Sequence, residues 1–246
     1  MHSDTAGIIA NMTTFPARLD LLNAVLDAVA PQVGRLNLVL NEFKEVPTFL
    51  RAHPNVAPLI PPRDLKDTGK FFADTGGAEA VFLLDDDILY PPDYVASTLA
   101  RMTARDTLYT YHGAILRPAP HALNPLQLKR TIRRLRKGFD DPHRFRSKDR
   151  FWERQARDRL VNLPGSGVSM LRPEILPPFG FMDGSAGFVD IRLARWCAER
   201  GLPIRSLARP AGWIRRLEAP GALFATVTKQ RPKPFSDELD HLMSVL

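Results

Sequence analysis

The chain has 246 residues, of which 44% are hydrophobic, 25% charged and 9% aromatic, and it carries a formal net charge of +7. The length fits one α/β domain with a substantial core, and the composition excludes collagen, heptad-repeat and disordered chains. A single cysteine, Cys197, excludes a disulfide framework and any multi-cysteine metal site, and it fits a reducing compartment.

In chain order, Gly7 to Met12 is a short apolar run that reads as a buried first strand. Thr14 is placed to cap a helix whose first turn holds Pro16, and Leu19, Leu22, Leu26 and Val29 continue at helical spacing. Leu36 to Leu40 and Val56 to Ile60 read as the second and third strands. Val81 to Leu84 is the clearest buried strand and runs directly into Asp85, Asp86 and Asp87. A helix over Asp93 to Met102 and a strand over Thr107 to His112 follow. After a basic segment come a strand at Gly167 to Leu171 and a helix at Phe188 to Arg200, which Gly201 and Pro203 stop. A short strand at Ile204 to Leu207 and a terminal helix at Ser236 to Leu246 complete the series. Strand–helix–strand order predicts a mainly parallel sheet flanked by helices, in one domain over residues 1–246. No stretch approaches the ~18 apolar residues of a membrane helix. Met1 to Gly7 lacks a basic region leading into an apolar one. The expected location is cytoplasmic, at most peripheral at the inner face of the cell membrane.

The charge is concentrated. Leu128 to Arg159 carries 13 Lys/Arg against 5 Asp/Glu, so the basicity belongs to this segment. It reads as an insertion at about 125–160, helical in two pieces around Gly138 to Pro142, with Phe145, Phe151 and Trp152 interleaved in its second half. Local ion pairs of Asp149 and Glu153 with Arg154 and Arg157 make it an ordinary solvated face. Used functionally, it would contact an anionic membrane or a pyrophosphate-bearing acceptor. No motif supports nucleic acid.

Three adjacent aspartates at the carboxyl end of an apolar strand are the most informative feature. Ligands of open α/β sheets bind outside strand carboxyl ends. Strand alternation would put Asp85 and Asp87 on one face with Asp86 pointing away. Such carboxylates suit Mg²⁺ or Mn²⁺, which takes one or two of them and completes its shell with substrate phosphates. A solvated acidic turn is the bland alternative.

The stretch from Val81 to Val95, with Asp85-Asp86-Asp87, resembles the DXD region of GT-A glycosyltransferases, specifically family-2-like bacterial enzymes of capsule and surface-polysaccharide synthesis. Met12 to Arg18 is similar to their first strand-to-helix loop, and Asp67-Thr68-Gly69-Lys70-Phe71 to an Asp/Gly/Lys element before the DXD strand. Tyr111-His112-Gly113, Leu163 to Gly167, Phe188 to Ile191, Gly201 to Pro203 and Arg209 to Trp213 resemble further short elements. The resemblance implies a GT-A fold and metal-dependent transfer of a sugar from a nucleotide-diphosphate sugar, a UDP-sugar above all, to a glycan or lipid-linked acceptor. It implies Thr14, Arg18, Asp67, Lys70, Asp85 and Asp86 as donor contacts, with Asp85, Asp87 and His112 as ligands of Mn²⁺ or Mg²⁺. It implies Asp190 as the base that deprotonates the acceptor, hence inversion. One departure is that Val189 precedes Asp190 where many family-2 enzymes have two adjacent acidic residues, and Asp183 is the nearest alternative base.

Each residue also has a plain structural reading. Asp190 suits a helix N-terminus, Lys70 and Arg18 could lie on the surface, Asp67 could sit in a turn, and His112 could be a packed strand residue. Gly165-Ser166-Gly167 would let backbone approach the donor sugar or simply make a turn. Trp213 and Cys197 read as packing residues. The alternatives to a glycosyltransferase are a nucleotidyltransferase, which would want a glycine-rich basic loop that Thr13 to Arg18 lacks, and a non-enzymatic basic module binding RNA or anionic lipid.

Overall fold

A computed structural model describes residues 5–116, 146–218 and 232–246 of the chain. The main sheet has eight strands. In chain order they are β1 (Ile8–Thr14), β2 (Arg35–Leu40), β3 (Val56–Leu59), β4 (Ala80–Asp85), β6 (Leu108–Thr110), β9 (Arg159–Val161), β11 (Val168–Leu171) and β12 (Ile204–Ser206). Across the sheet they lie β3-β2-β1-β4-β11-β6-β12-β9. β3, β2, β1 and β4 are mutually parallel, as are β6 and β12, whereas β11 runs against β4 and β6, and β9 against β12. The sheet is therefore mixed and mainly parallel, as expected. A small sheet joins β10 (Leu163–Pro164), β7 (Gly113–Leu116) and β8 (Arg146–Asp149), and a ribbon joins β13 (Arg215–Arg216) to β5 (Ile88–Leu89).

Among the described residues the helices are α1 (Leu19–Val29), α2 (Tyr94–Leu99), α3 (Phe179–Met182), α4 (Val189–Glu199) and α5 (Lys233–Val245). β4 shows why both faces of the sheet are covered. Its Phe82 and Leu84 enter one core with Met12, Leu22, Leu26 and Tyr94, while Val81 and Leu83 enter another with Phe71, Met182, Leu193 and Cys197. Successive side chains alternate, so a central strand must be apolar throughout. Among the described residues, no helix is long and apolar enough to cross a membrane.

Some expectations change. Thr14 does not cap a helix: it is the buried last residue of β1, and the turn Pro16–Arg18 precedes α1. The first helical piece expected in the basic insertion lies outside the described residues. The second is not helical where it is described. Arg146–Asp149 pairs antiparallel with β7, and an irregular loop follows. Buried Phe151 and a buried Asp149, held by Arg159 and Gln155, fix that loop through tertiary contacts that override local propensity. The ion pairs formed are Asp149 with Arg159 and Glu153 with Arg150, not with Arg154 and Arg157.

Candidate active site

The carboxyl ends of β1 and β4 open into a cleft of about 530 Å³. Asp85 closes β4 level with Thr13 of β1. It continues the alternation of Val81 and Leu83 and so emerges on the face covered by α4. On that face the turn Lys66–Phe71 lies against the strands. A Cβ on Gly69 would come within 2.7 Å of Thr13 Cγ2 and 3.0 Å of Val39 Cγ1, so only glycine lets the turn pack this closely. Lys70 follows it and is only 2% exposed. Its ammonium forms a close ion pair with Asp85 and lies 3.4 Å from Ser166 Oγ. Burial lowers that ammonium's pKa, but Asp85, Asp67 and Asp190 together hold it above the ordinary value.

Two of those carboxylates are fixed by backbone. Asp67 accepts from the Gly187 N–H at 2.8 Å, and burial pushes its pKa up to about 6 against the pull of that bond and of Lys70. Asp190, in the first turn of α4, accepts from the Ser166 N–H at 2.8 Å. Burial raises its pKa too, against the Ser166 bonds and Lys70.

The other aspartates go elsewhere. β4 ends at Asp85, and Asp86 and Asp87 form the turn into β5. Alternation stops with the strand, so it is the turn and not strand geometry that places Asp87, and Asp85 and Asp87 both line the cleft. Both turn residues gather on Arg18, whose Nη1 lies 3.5 Å from Asp86 Oδ1 and 3.2 Å from Asp87 Oδ2. Arg18 is buried, not a surface arginine. Burial pushes Asp86 up to about 6, with Arg18 opposing. Asp87 is raised by burial and by the like charge of Asp85.

His112 lies on the cleft wall against Phe151 and Trp152, with ring centroids 5.7 and 6.1 Å away. Burial and then the charges of Lys148 and Arg209 push its pKa down to about 4, so the imidazole is neutral at pH 7. Among the described residues, no three His, Cys, Asp or Glu side chains form a group that could hold a metal, so the trio Asp85, Asp87 and His112 is not assembled. Two carboxylates lining one cleft, with Asp87 raised by burial and by the charge of Asp85, do fit a hard cation that draws its remaining ligands from a substrate.

The remaining candidates separate cleanly. Thr14 does not line the cleft; it is buried at the end of β1. Asp183 lies outside it, exposed and bonded to Arg63 at 2.6 and 2.7 Å. Trp213 packs on Tyr94 and Tyr111 and bonds Asp93, away from the cleft. Cys197 is a buried core thiol with its pKa pushed up to about 12. The close approach at Gly165 and Gly167 is to protein side chains: a Cβ on Gly165 would touch His112 at 2.8 Å, and one on Gly167 would run into the Asp85 carboxylate.

Three residues that shape the site escape a sequence reading. Tyr90 accepts from the Asp85 N–H at 2.8 Å and donates to the Gly167 carbonyl at 2.6 Å, latching β4 to the loop before β11. Asn37 donates to Asn11 Oδ1 at 2.8 Å, and Asn11 donates to the Lys70 carbonyl at 2.8 Å. Polar residues in the middle of otherwise apolar strands were the available signal.

No family model matches this sequence, and no curated protein is similar to it in sequence. Its fold is similar to solved structures. One is glucosyl-3-phosphoglycerate synthase from Mycobacterium tuberculosis in complex with Mn²⁺ and uridine-diphosphate-glucose, 13% identical, with 95% of this chain and 79% of that chain covered at a TM-score of 0.52. A complex of that synthase with Mn²⁺, uridine-diphosphate-glucose and phosphoglyceric acid is 15% identical, with 96% and 79% covered at 0.51. A mycobacterial protein is 16% identical, with 97% and 74% covered at 0.51. At these identities the likeness is one of fold, and the fold is GT-A-like.

Proposed function

We propose that the chain is a single GT-A-like domain that transfers a sugar from a nucleotide-diphosphate sugar to an acceptor hydroxyl, with inversion at the anomeric carbon. The observation that carries this reading is the buried Lys70 ammonium set among Asp85, Asp67 and Asp190 at the mouth of β4. Acidic strand ends alone suit many ligands of open α/β sheets, but a desolvated cation beside them is suited to a diphosphate.

Asp85 and Asp87 would hold Mn²⁺ or Mg²⁺, which supplies positive charge to the departing diphosphate. Lys70 and Arg18 offer further positive charge from opposite sides of the aspartate turn. Asp67 and Asp86 are the remaining donor contacts, positioned to accept from sugar or ribose hydroxyls. Asp190 accepts the proton of the acceptor hydroxyl as that oxygen attacks. Burial makes it a better base than a solvated aspartate, and the Ser166 N–H fixes its orientation. Solved relatives in fold hold uridine-diphosphate-glucose and Mn²⁺, which favours UDP-sugars as first candidates.

The test is a thermal melt with UDP, GDP and CMP, with and without Mn²⁺. A ligand selective for the folded state raises the melting temperature by mass action. UDP should stabilise the protein only with Mn²⁺, Asp87→Asn should abolish that gain, and Asp190→Asn should keep it while losing transfer. If no nucleotide gives a metal-dependent shift, the reading fails.

A further inference from the structure

We propose that Glu238 of the helix α5 is a positioning residue for Asp190: through Arg192 and Arg195 it fixes the rotation of α4 and so holds the Asp190 carboxylate in the cleft. The inference rests on the transfer reading above, in which Asp190 is the base, and adds the group that aims it.

α5 packs along α4. Phe235, Leu239 and Leu242 recur at i, i+4 and i+7 and meet Phe188, Ile191 and Ala194 in one apolar cluster. Glu238 falls on that same face, one residue before Leu239, and is only 5% exposed. Its carboxylate lies 2.7 Å from Arg192 Nε and accepts from Arg195 Nη1 at 3.4 Å. Arg192 and Arg195 are three residues apart and so share one side of α4. Arg192 is gripped at its other end too, its Nη1 donating to the Phe181 carbonyl at 2.7 Å.

A charge in an apolar seam is costly, and an apolar residue of similar size would often join the helices as firmly. What the ion pairs add is register. They are satisfied at one rotation of α4 against α5, whereas an apolar contact tolerates small turns. Register matters here because of what the first turn of α4 carries. Asp190 lines the cleft and accepts from the Ser166 N–H at 2.8 Å. It stands two residues before Arg192, about 200° around the helix, so the pair to Glu238 and the bond to Ser166 hold α4 from opposite sides. A rotation of about 20° at a side-chain radius of about 6 Å moves the carboxylate roughly 2 Å. That breaks the Ser166 bond and takes the carboxylate out of reach of an acceptor hydroxyl.

The other polar contact between the two helices is of a different kind. His241, three residues further along α5, meets Glu199 Oε1 at 2.9 Å, but its side chain is 44% exposed and Glu199 ends α4, far from Asp190. Such exposed pairs constrain little, which makes His241 the control.

The experiment is amide hydrogen exchange followed by NMR on the full chain, with the melting temperature measured alongside. Glu238→Met keeps the side-chain length and an apolar seam, so its melting temperature should stay near that of the parent. The Ser166 amide should nevertheless exchange at least about tenfold faster, and its proton resonance should move, while amides of β1 and β4 stay within about twofold. Glu238→Gln still offers Arg192 an oxygen and should give a smaller rise; it carries the test if Glu238→Met does not fold. His241→Ala should leave Ser166 as it is in the parent. Unchanged Ser166 exchange in both Glu238 variants, a rise shared equally by β1 and β4, or an equal rise in His241→Ala overturns the proposal. The transfer reading has its own measurement: if the unaltered protein gains no Mn²⁺-dependent stability from UDP, that reading fails whatever Ser166 does, so the two failures are distinguishable.

Discussion

Burial pushes the Asp67 carboxyl from an ordinary value of 3.8 up to about 6, although Gly187 and Lys70 both favour its charged form. The folded protein therefore binds this proton more tightly than the unfolded chain does. Stability from the group is full below about pH 3.8 and is lost as pH rises through about 6. Asp67→Asn keeps an oxygen for the Gly187 N–H and removes the titration. Near pH 4 the variant should match the parent, and toward pH 7 it should become more stable by up to about 3 kcal/mol. Urea unfolding at several pH values checks this, and a gain independent of pH would refute it. The residue types of the site were legible in the sequence, but their environments were not. Lys70 and Arg18 have ordinary surface readings until tertiary packing buries them, and nothing local to either residue encodes that burial.

The elements were easier to read than the loops. β1, β2 and β4 follow from mostly apolar runs because parallel strands covered on both faces have little choice of composition, whereas β3 is an edge strand that exposes Ala57 and Pro58. The second half of the basic segment escaped, since its strand and loop depend on β7 and on Arg159, neither of them a local neighbour. The latch between β4 and β11 also depends on distant partners. Tyr90 ties Asp85 to Gly167, and Gly167 has no side chain where the Asp85 carboxylate lies. Gly167→Ala should displace that carboxylate, costing about 1–3 kcal/mol of stability through overpacking. It should also remove the Mn²⁺-dependent stabilisation by UDP. Melting curves with and without both ligands measure the two effects together; an unchanged UDP response would mean that Asp85 is not needed where it stands.

At the scale of the whole molecule, the cleft depends on groups that never touch it. The parallel part of the sheet was expected from strand–helix alternation, whereas the antiparallel β11 and β9 do not follow from it. The Asn37–Asn11–Lys70 chain of bonds was not expected either, because a lone asparagine in a strand announces a buried polar group without naming its partner. Asn37→Leu should leave Asn11 short of a donor and cost about 1–3 kcal/mol. It should also weaken UDP binding several-fold, although Asn37 does not line the cleft. Titration of UDP with Mn²⁺ decides whether that remote effect exists, and unchanged affinity would show that Lys70 is held adequately by its carboxylates alone.

That asparagine pair anchors the lysine turn from beneath, in the dry interior between two parallel strands. On the transfer reading, the contact to the leaving group rests on the foundation of the sheet, whereas the cleft wall made by β7, β8 and β10 rests on short strands and an irregular loop. Under that reading, a chain made this way exchanges one acceptor for another by rewriting its rim, while any change to the rungs below alters every transfer.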